Sequence, residues 1–211
     1  MNYGEIFLGW GLGIVSGPLF SFIADITKVK KIESAVKIEF IEERLRLAIG
    51  LFSISRKTNN CDREFLHWFK NELDSYCVYY PNVQEILTLR DSVIQLSEDR
   101  TTYEIFISKK DESFVIPKIE LIAAMSALAS LSSFSSIKQM HILAVLRYIK
   151  VANYHIDHLN NWDKMSFETQ DENYRRVSVN SDVSLKAYFH NGKMAVLEMA
   201  KFIAEMDRVE F

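Results

Sequence analysis

An uncharged segment near the start of the chain constrains its folding more than any other feature. Residues 6–24 read IFLGWGLGIVSGPLFSFIA and contain no Asp, Glu, Lys or Arg. As an α-helix they would be about 28 Å long, and the hydrocarbon core of a bilayer is about 30 Å thick. Glu5 and Asp25 flank the segment at its two ends. The pattern predicts a transmembrane helix, with residues 1–27 as a membrane anchor.

The segment has two other interpretations, a secretory signal peptide and a buried helix. A secretory signal peptide has a basic start and small residues before its cleavage point. This chain begins MNYGE, and Phe22 would occupy the third position before a cleavage after Ala24. A buried helix of a soluble helical protein is the stronger alternative, because the glycines and Pro18 lower the hydropathy of the segment. The sequence leaves that alternative open.

The flanking basic residues predict the orientation of the anchor. The segment is followed by TKVKK and preceded by no Lys or Arg. The positive-inside rule then places residues 28–211 in the cytoplasm and the N-terminus outside the plasma (inner) membrane. Two cysteines, Cys61 and Cys77, are too few for a disulfide framework and fit a reducing compartment.

Glycine is concentrated in the predicted anchor. Five of the seven glycines fall within the first seventeen residues, and Gly9, Gly13 and Gly17 are spaced four apart. On a helix they form one stripe, with Ser16 as a small polar neighbour. Helices in lipid associate by close packing of small residues, so the stripe predicts self-association or pairing with another membrane subunit. The alternative is a stripe that faces lipid.

The remainder of the chain predicts an all-α fold. Only two prolines and two further glycines interrupt it, which favours long helices. We expect one N-terminal transmembrane helix followed by a multi-helix up-and-down bundle. Residues 28–58 are predicted to form an amphipathic stalk helix and residues 59–211 a cytoplasmic helical domain. A second uncharged stretch, residues 121–137, is predicted to be a buried helix ending near Ser132, with a membrane crossing as the alternative.

The clearest periodicity lies between residues 136 and 163. Apolar residues recur there at alternating spacings of three and four, the pattern of one buried helix face. This predicted core seam consists of Ile142, Val145, Ile149, Ala152, Ile156 and Leu159.

Candidate catalytic residues cluster only in the segment NYHIDH. His155 and His158 are three apart, so one helix could direct both at a metal ion, with Asp157 nearby. The sequence HIDH resembles the His-Asp pair of metal-dependent phosphohydrolases. A metal site needs three or four ligands, and the sequence identifies no others. We therefore interpret the two histidines as flanking a helical core and predict neither a catalytic residue nor a cofactor.

Composition narrows the predicted function. The formal net charge is -3 and no basic stripe is visible, so we expect no nucleic-acid partner. The leading hypothesis is a membrane-anchored interaction or regulatory protein whose partners are membrane lipid, itself or another membrane subunit, and a cytoplasmic protein or ligand. One alternative is a membrane-perturbing effector, such as those of bacterial defence or signalling modules. The other is a soluble helical hydrolase or nuclease working through His155, Asp157 and His158.

Overall fold

The computed structural model describes the backbone of residues 3–108, 116, 118–166 and 171–208, and the side chains of residues 26–108, 116, 118–160 and 179–208. Within this part the chain forms α-helices and one short 3-10 helix, without a strand. The prediction of an all-α bundle is confirmed for these residues. The helices are α1 (Tyr3–Ser55), α2 (Arg63–Tyr79), α3 (Gln84–Glu98), α4 (Arg100–Ser108), α5 (Ile122–Ala127), the 3-10 helix (Leu128–Ser133), α6 (Ser136–Ser166) and α7 (Asp171–Arg208).

Helix α1 is one continuous helix of 53 residues, about 80 Å long. Its first part contains the predicted anchor, and its last part, from Val36 to Ile54, contributes fully buried residues to the core. The predicted stalk, residues 28–58, is therefore mostly a core element of the bundle. A stalk-like stretch is restricted to residues 26–31, where five of six side chains are exposed.

Helices α1 and α7 run antiparallel and approach each other closely. Lys37 Nζ lies 2.6 Å from Asp207 Oδ1 near one end of the pair. Toward the other end, a Cβ atom added at Gly192 would lie only 2.9 Å from Leu51 Cδ2. Since Leu51 is fully buried, the absence of a side chain at Gly192 lets the two helices pack at this distance.

Helix α6 packs along α7 as an antiparallel hairpin, and the two helices form the most extensive packing in the described part of the chain. Lys138, near the start of α6, donates to Glu33 of α1 at 2.9 Å. This contact places the starts of α6 and of the buried part of α1 side by side, so these two helices run in the same direction. The core thus joins two antiparallel helix pairs, α1 with α7 and α6 with α7, and one parallel pair, α1 with α6.

A second, smaller cluster covers another face of α1. It is built from α1 to α4, and its buried residues are Leu45, Ala48, Cys61, Leu66, Phe69, Leu73 and Val93. Phe52 of α1 stacks on Phe69 of α2, with ring centroids 4.5 Å apart. A buried ion pair joins the same helices, since Arg44 Nε lies 2.6 Å from Glu72 Oε2. Burial raises the pKa of the Glu72 carboxyl, and the Arg44 guanidinium opposes that rise.

The second uncharged stretch, residues 121–137, departs from its prediction. It forms the six-residue helix α5 and then a 3-10 helix, in which Ser130 has non-helical angles (φ −119°, ψ 16°). The helical segment ends at Ser133, close to the expected end near Ser132, but the prediction of one buried helix is wrong, since only Ala124 and Ala127 within it are buried. Serine side chains compete for backbone hydrogen bonds and weaken helices, and the stretch contains six of them.

Among the helices whose side chains the structure describes, none has an apolar stretch long enough to cross a bilayer. Residues 6–24 lie outside those side chains, so the transmembrane helix stays a prediction.

Candidate functional site

A long apolar groove lies between α5 and α6, with a volume of about 1060 Å³. One wall is a face of α6 on which residues recur at helical spacings, so their side chains share one side of the helix. The opposite wall is formed by α5 and the start of the 3-10 helix, and the segment before α5 forms the floor. The residues of the α6 wall are Leu143, Leu146, Arg147, Ile149, Lys150, Asn153, Tyr154 and Asp157, of which Ile149 is also buried in the core.

The α5 wall is held in place by a carboxylate from α1. Both carboxylate oxygens of Glu39 accept hydrogen bonds from backbone N–H groups, one from Ala123 and one from Ala124, each at 2.8 Å. The first N–H groups of a helix have no partner within the helix. Glu39 supplies that partner from about 84 positions away in the sequence, and so fixes where α5 begins.

The floor of the groove is fastened to α6 by a side-chain amide. Asn153 Oδ1 accepts from the Ile119 N–H at 3.1 Å, and Asn153 Nδ2 donates to the Ile119 carbonyl at 2.8 Å. One residue earlier, Lys118 Nζ lies 2.5 Å from Asp157 Oδ1. These contacts hold the apolar side chains of Ile119 and Leu121 under the groove, where both are buried.

The walls of the groove are exposed although they are apolar. Ile122 is 72% exposed and Met125 57% on the α5 wall, while Leu143 is 49% and Tyr154 58% exposed on the α6 wall. Leu128 is also exposed beside them. Single exposed apolar residues are ordinary in proteins, whereas a contiguous group along a concave surface is typical of a binding site. The groove is the strongest binding-site candidate in the described part of the chain.

Two cations stand in the middle of the α6 wall. Arg147 and Lys150 are one helical turn apart, both line the groove, and both are exposed. Neither has an ion-pair partner among the described residues, in contrast to Lys118, which is paired with Asp157 at one end of the groove. The α6 wall therefore carries two exposed cations that no described residue pairs with, while Glu120 and Asp157 are the acidic residues that line the groove.

The predicted seam lies on another face of α6. Five of its residues are buried in the core with α1 and α7, and the sixth, Leu159, is partly buried against it. The buried residues are Ile142, Val145, Ile149, Ala152 and Ile156.

A buried polar pair interrupts the apolar packing of α6 against α7. His141 Nδ1 lies 2.7 Å from Glu198 Oε2, and Lys201 Nζ donates to the other oxygen of Glu198 at 2.7 Å. Burial pushes the pKa of the Glu198 carboxyl upward, but the hydrogen bonds from Lys201 and His141 outweigh burial, so the pKa is lowered. The pair satisfies polar groups inside the helix packing and lies outside the groove.

The histidine cluster does not assemble further ligands. His155 is half-buried, its Nδ1 has no hydrogen-bond partner among the described residues, and burial, helped by His158, lowers its pKa. The ring of His158 packs against Tyr154 with centroids 4.4 Å apart, and Asp157 is paired with Lys118. Within the described residues, no three His, Cys, Asp or Glu side chains converge as a metal site would require.

The glycine stripe lies in the first part of α1. The helix includes Gly9, Gly13, Ser16 and Gly17, but their surroundings fall outside the described side chains. Its role in association stays a prediction.

Sequence reasoning missed the groove. The signal was present in α6, where Met140, Leu143 and Leu146 are apolar but do not belong to the seam. When a helix carries apolar residues outside its core face, either a second element packs against them or they stay exposed to solvent.

Comparisons with known proteins add no further information on function. Neither family models, nor curated proteins, nor solved structures give a significant match to this chain.

Proposed function

We propose that this chain is a membrane-anchored interaction protein whose helical bundle binds a partner in the groove between α5 and α6. Residues 6–24 would anchor α1 in a plasma membrane, the stripe of Gly9, Gly13 and Gly17 would associate anchors, and residues 28–211 would lie in the cytoplasm. The observation that carries the proposal is the groove itself. Its apolar walls are exposed, so a partner that covered them would gain hydrophobic stabilisation.

The course of α1 supports the anchor. Side chains from Ile26 to Lys31, which directly follow the apolar segment in sequence, are almost all exposed. This part of α1 therefore makes little contact with the bundle. Lys28, Lys30 and Lys31 are exposed in this stretch, as expected for basic residues next to the cytoplasmic face of a membrane. A helix buried in a soluble core would instead have neighbours on several sides at this point.

Membrane extraction tests the anchor. A C-terminally tagged chain should stay in the membrane pellet through an alkaline carbonate wash and dissolve only in detergent. A chain that appears in the carbonate supernatant would show that residues 6–24 do not span the bilayer.

Association through the stripe is tested separately, in a membrane two-hybrid assay. Replacing Gly13 and Gly17 by Ile should weaken self-association, because the larger side chains prevent close backbone contact. A variant with Leu12 and Ile14 exchanged for each other provides the control, since it keeps composition and leaves the stripe intact. Unchanged association in the Gly13→Ile, Gly17→Ile variant would remove the stripe from the proposed function.

Site-specific photocrosslinking in cells tests the groove. A photoreactive residue at Met125 or Leu143 should form adducts with another protein, because both positions line the groove. The same residue at Val78, which is 76% exposed on α2 and does not line the groove, serves as the matched control. Equal adduct formation at all three positions would show that exposure alone, and no groove partner, causes crosslinking.

A further inference from the structure

The groove described above combines exposed apolar side chains with the exposed cations Arg147 and Lys150. We infer that it takes an amphipathic α-helix of a partner protein, and that this helix carries acidic residues opposite Arg147 and Lys150. This inference rests on the proposed function, because it names the chemistry of the partner in the same groove.

The shape of the groove favours a helix over a small molecule. Small-molecule sites enclose most of the ligand surface. Here Ile122, Met125 and Tyr154 are all more than half exposed along the walls, so the groove is open along its length. From Leu143 to Asp157 the α6 wall is about 21 Å long, which matches a helix of about 14 residues. An amphipathic helix in an open apolar groove is a recurring mode of recognition.

The charges of the wall define the second requirement. Leu143 and Tyr154 provide apolar contacts toward the two ends of the α6 wall, while Arg147 and Lys150 stand between them. A partner helix lying along α6 would place side chains of one flank opposite these cations. Acidic residues there would be attracted and basic residues repelled, so the wall gives selectivity that apolar contact alone lacks.

Three designed peptides test the inference directly. All have the same apolar face of leucines at helical spacing and about 16 residues, enough to span the groove. They differ only on one flank, which carries Glu, Gln or Lys. Binding is measured by fluorescence anisotropy to the full-length chain in nanodiscs of zwitterionic lipid, so that neither detergent nor lipid charge interferes.

We expect the Glu peptide to bind roughly tenfold more tightly than the Lys peptide, with the Gln peptide between them. Reversing the wall with Arg147→Glu and Lys150→Glu should reverse this order. The matched control is Arg63→Glu with Lys186→Glu, which changes the net charge equally at two exposed cations outside the groove. The control should keep the order of the original chain.

Three results would overturn the inference, and they differ in what they leave of the proposed function. Equal binding of all three peptides, lost on Leu143→Asp, would show an apolar groove without charge selection, and the proposed function would stand. Binding that appears only after Asp111→Asn and Glu112→Gln would show that the chain's own acidic segment occupies the groove. No binding to any of these chains would end both proposals.

Discussion

The two apolar faces of α6 differ in how completely another helix covers them. On the seam face, Ile142 is fully buried because α7, a helix of 38 residues, packs along it. One position later, on the groove face, Leu143 is 49% exposed because α5 has only six residues and covers little. Neighbouring apolar residues thus have opposite environments. The length of the opposing element therefore decides whether an apolar face of α6 is buried or stays exposed.

Truncating the two neighbouring residues should produce the largest contrast. Ile142→Ala should lower the free energy of unfolding by roughly 2–5 kcal/mol, because it leaves a cavity in a packed core. Leu143→Ala should change it by no more than about 0.5 kcal/mol, because a half-exposed side chain is lost. Chemical denaturation of the full chain, followed by tryptophan fluorescence, measures both. Similar losses in the two variants would show that the groove face is covered in the folded chain.

The polar pair within the seam face should give an intermediate effect that depends on pH. Glu198→Gln should cost about 1.5 kcal/mol at pH 7, because it weakens charge-assisted hydrogen bonds to His141 and Lys201. Because the pKa of Glu198 is lowered in the folded chain, its ionised form stabilises the fold at any pH above the ordinary carboxyl pKa. This contribution is lost as the pH falls below about 4.5.

On acidification from pH 6 to pH 3, the Glu198→Gln variant should therefore lose less free energy of unfolding than the original chain. Glu205→Gln is the control, since among the described residues Glu205 pairs with the exposed Arg208 alone, at 3.5 Å. An identical pH dependence in the Glu198→Gln variant and the original chain would contradict the assigned role of the pair.

The smallest expected effect concerns the attachment of the groove wall. Glu39→Ala removes the carboxylate that accepts from Ala123 and Ala124, and should cost about 1 kcal/mol, as loss of a helix cap does. Hydrogen exchange at those two amides should accelerate, while amides in the seam keep their protection. Glu42→Ala, an exposed change on the same helix, is the control. Unchanged exchange at Ala123 and Ala124 would show that Glu39 does not hold α5.

The seam was predictable from sequence, and the groove was not, for a physical reason. Local spacing, which depends only on helical periodicity, predicts that Ile142, Val145 and Ile149 are buried. The groove depends on where α5 begins and ends, and Glu39 sets the beginning from a distant part of the chain. Likewise, the amide contact of Asn153 with Ile119 joins segments 34 positions apart, and no local pattern encodes it.

The unbroken course of α1 has a consequence for assembly geometry. Gly17 and Glu39 lie on the same helix, and 22 residues at about 100° each leave them about 40° apart around its axis. The helix between these two positions contains no loop, so the orientation of each bundle is fixed relative to its own anchor. Two copies that pair through the glycine stripe would therefore have bundles in a fixed relative orientation. The side of each bundle that carries α5 would then face toward the twofold axis. The pairing of the anchors would then set how the two grooves are oriented relative to each other.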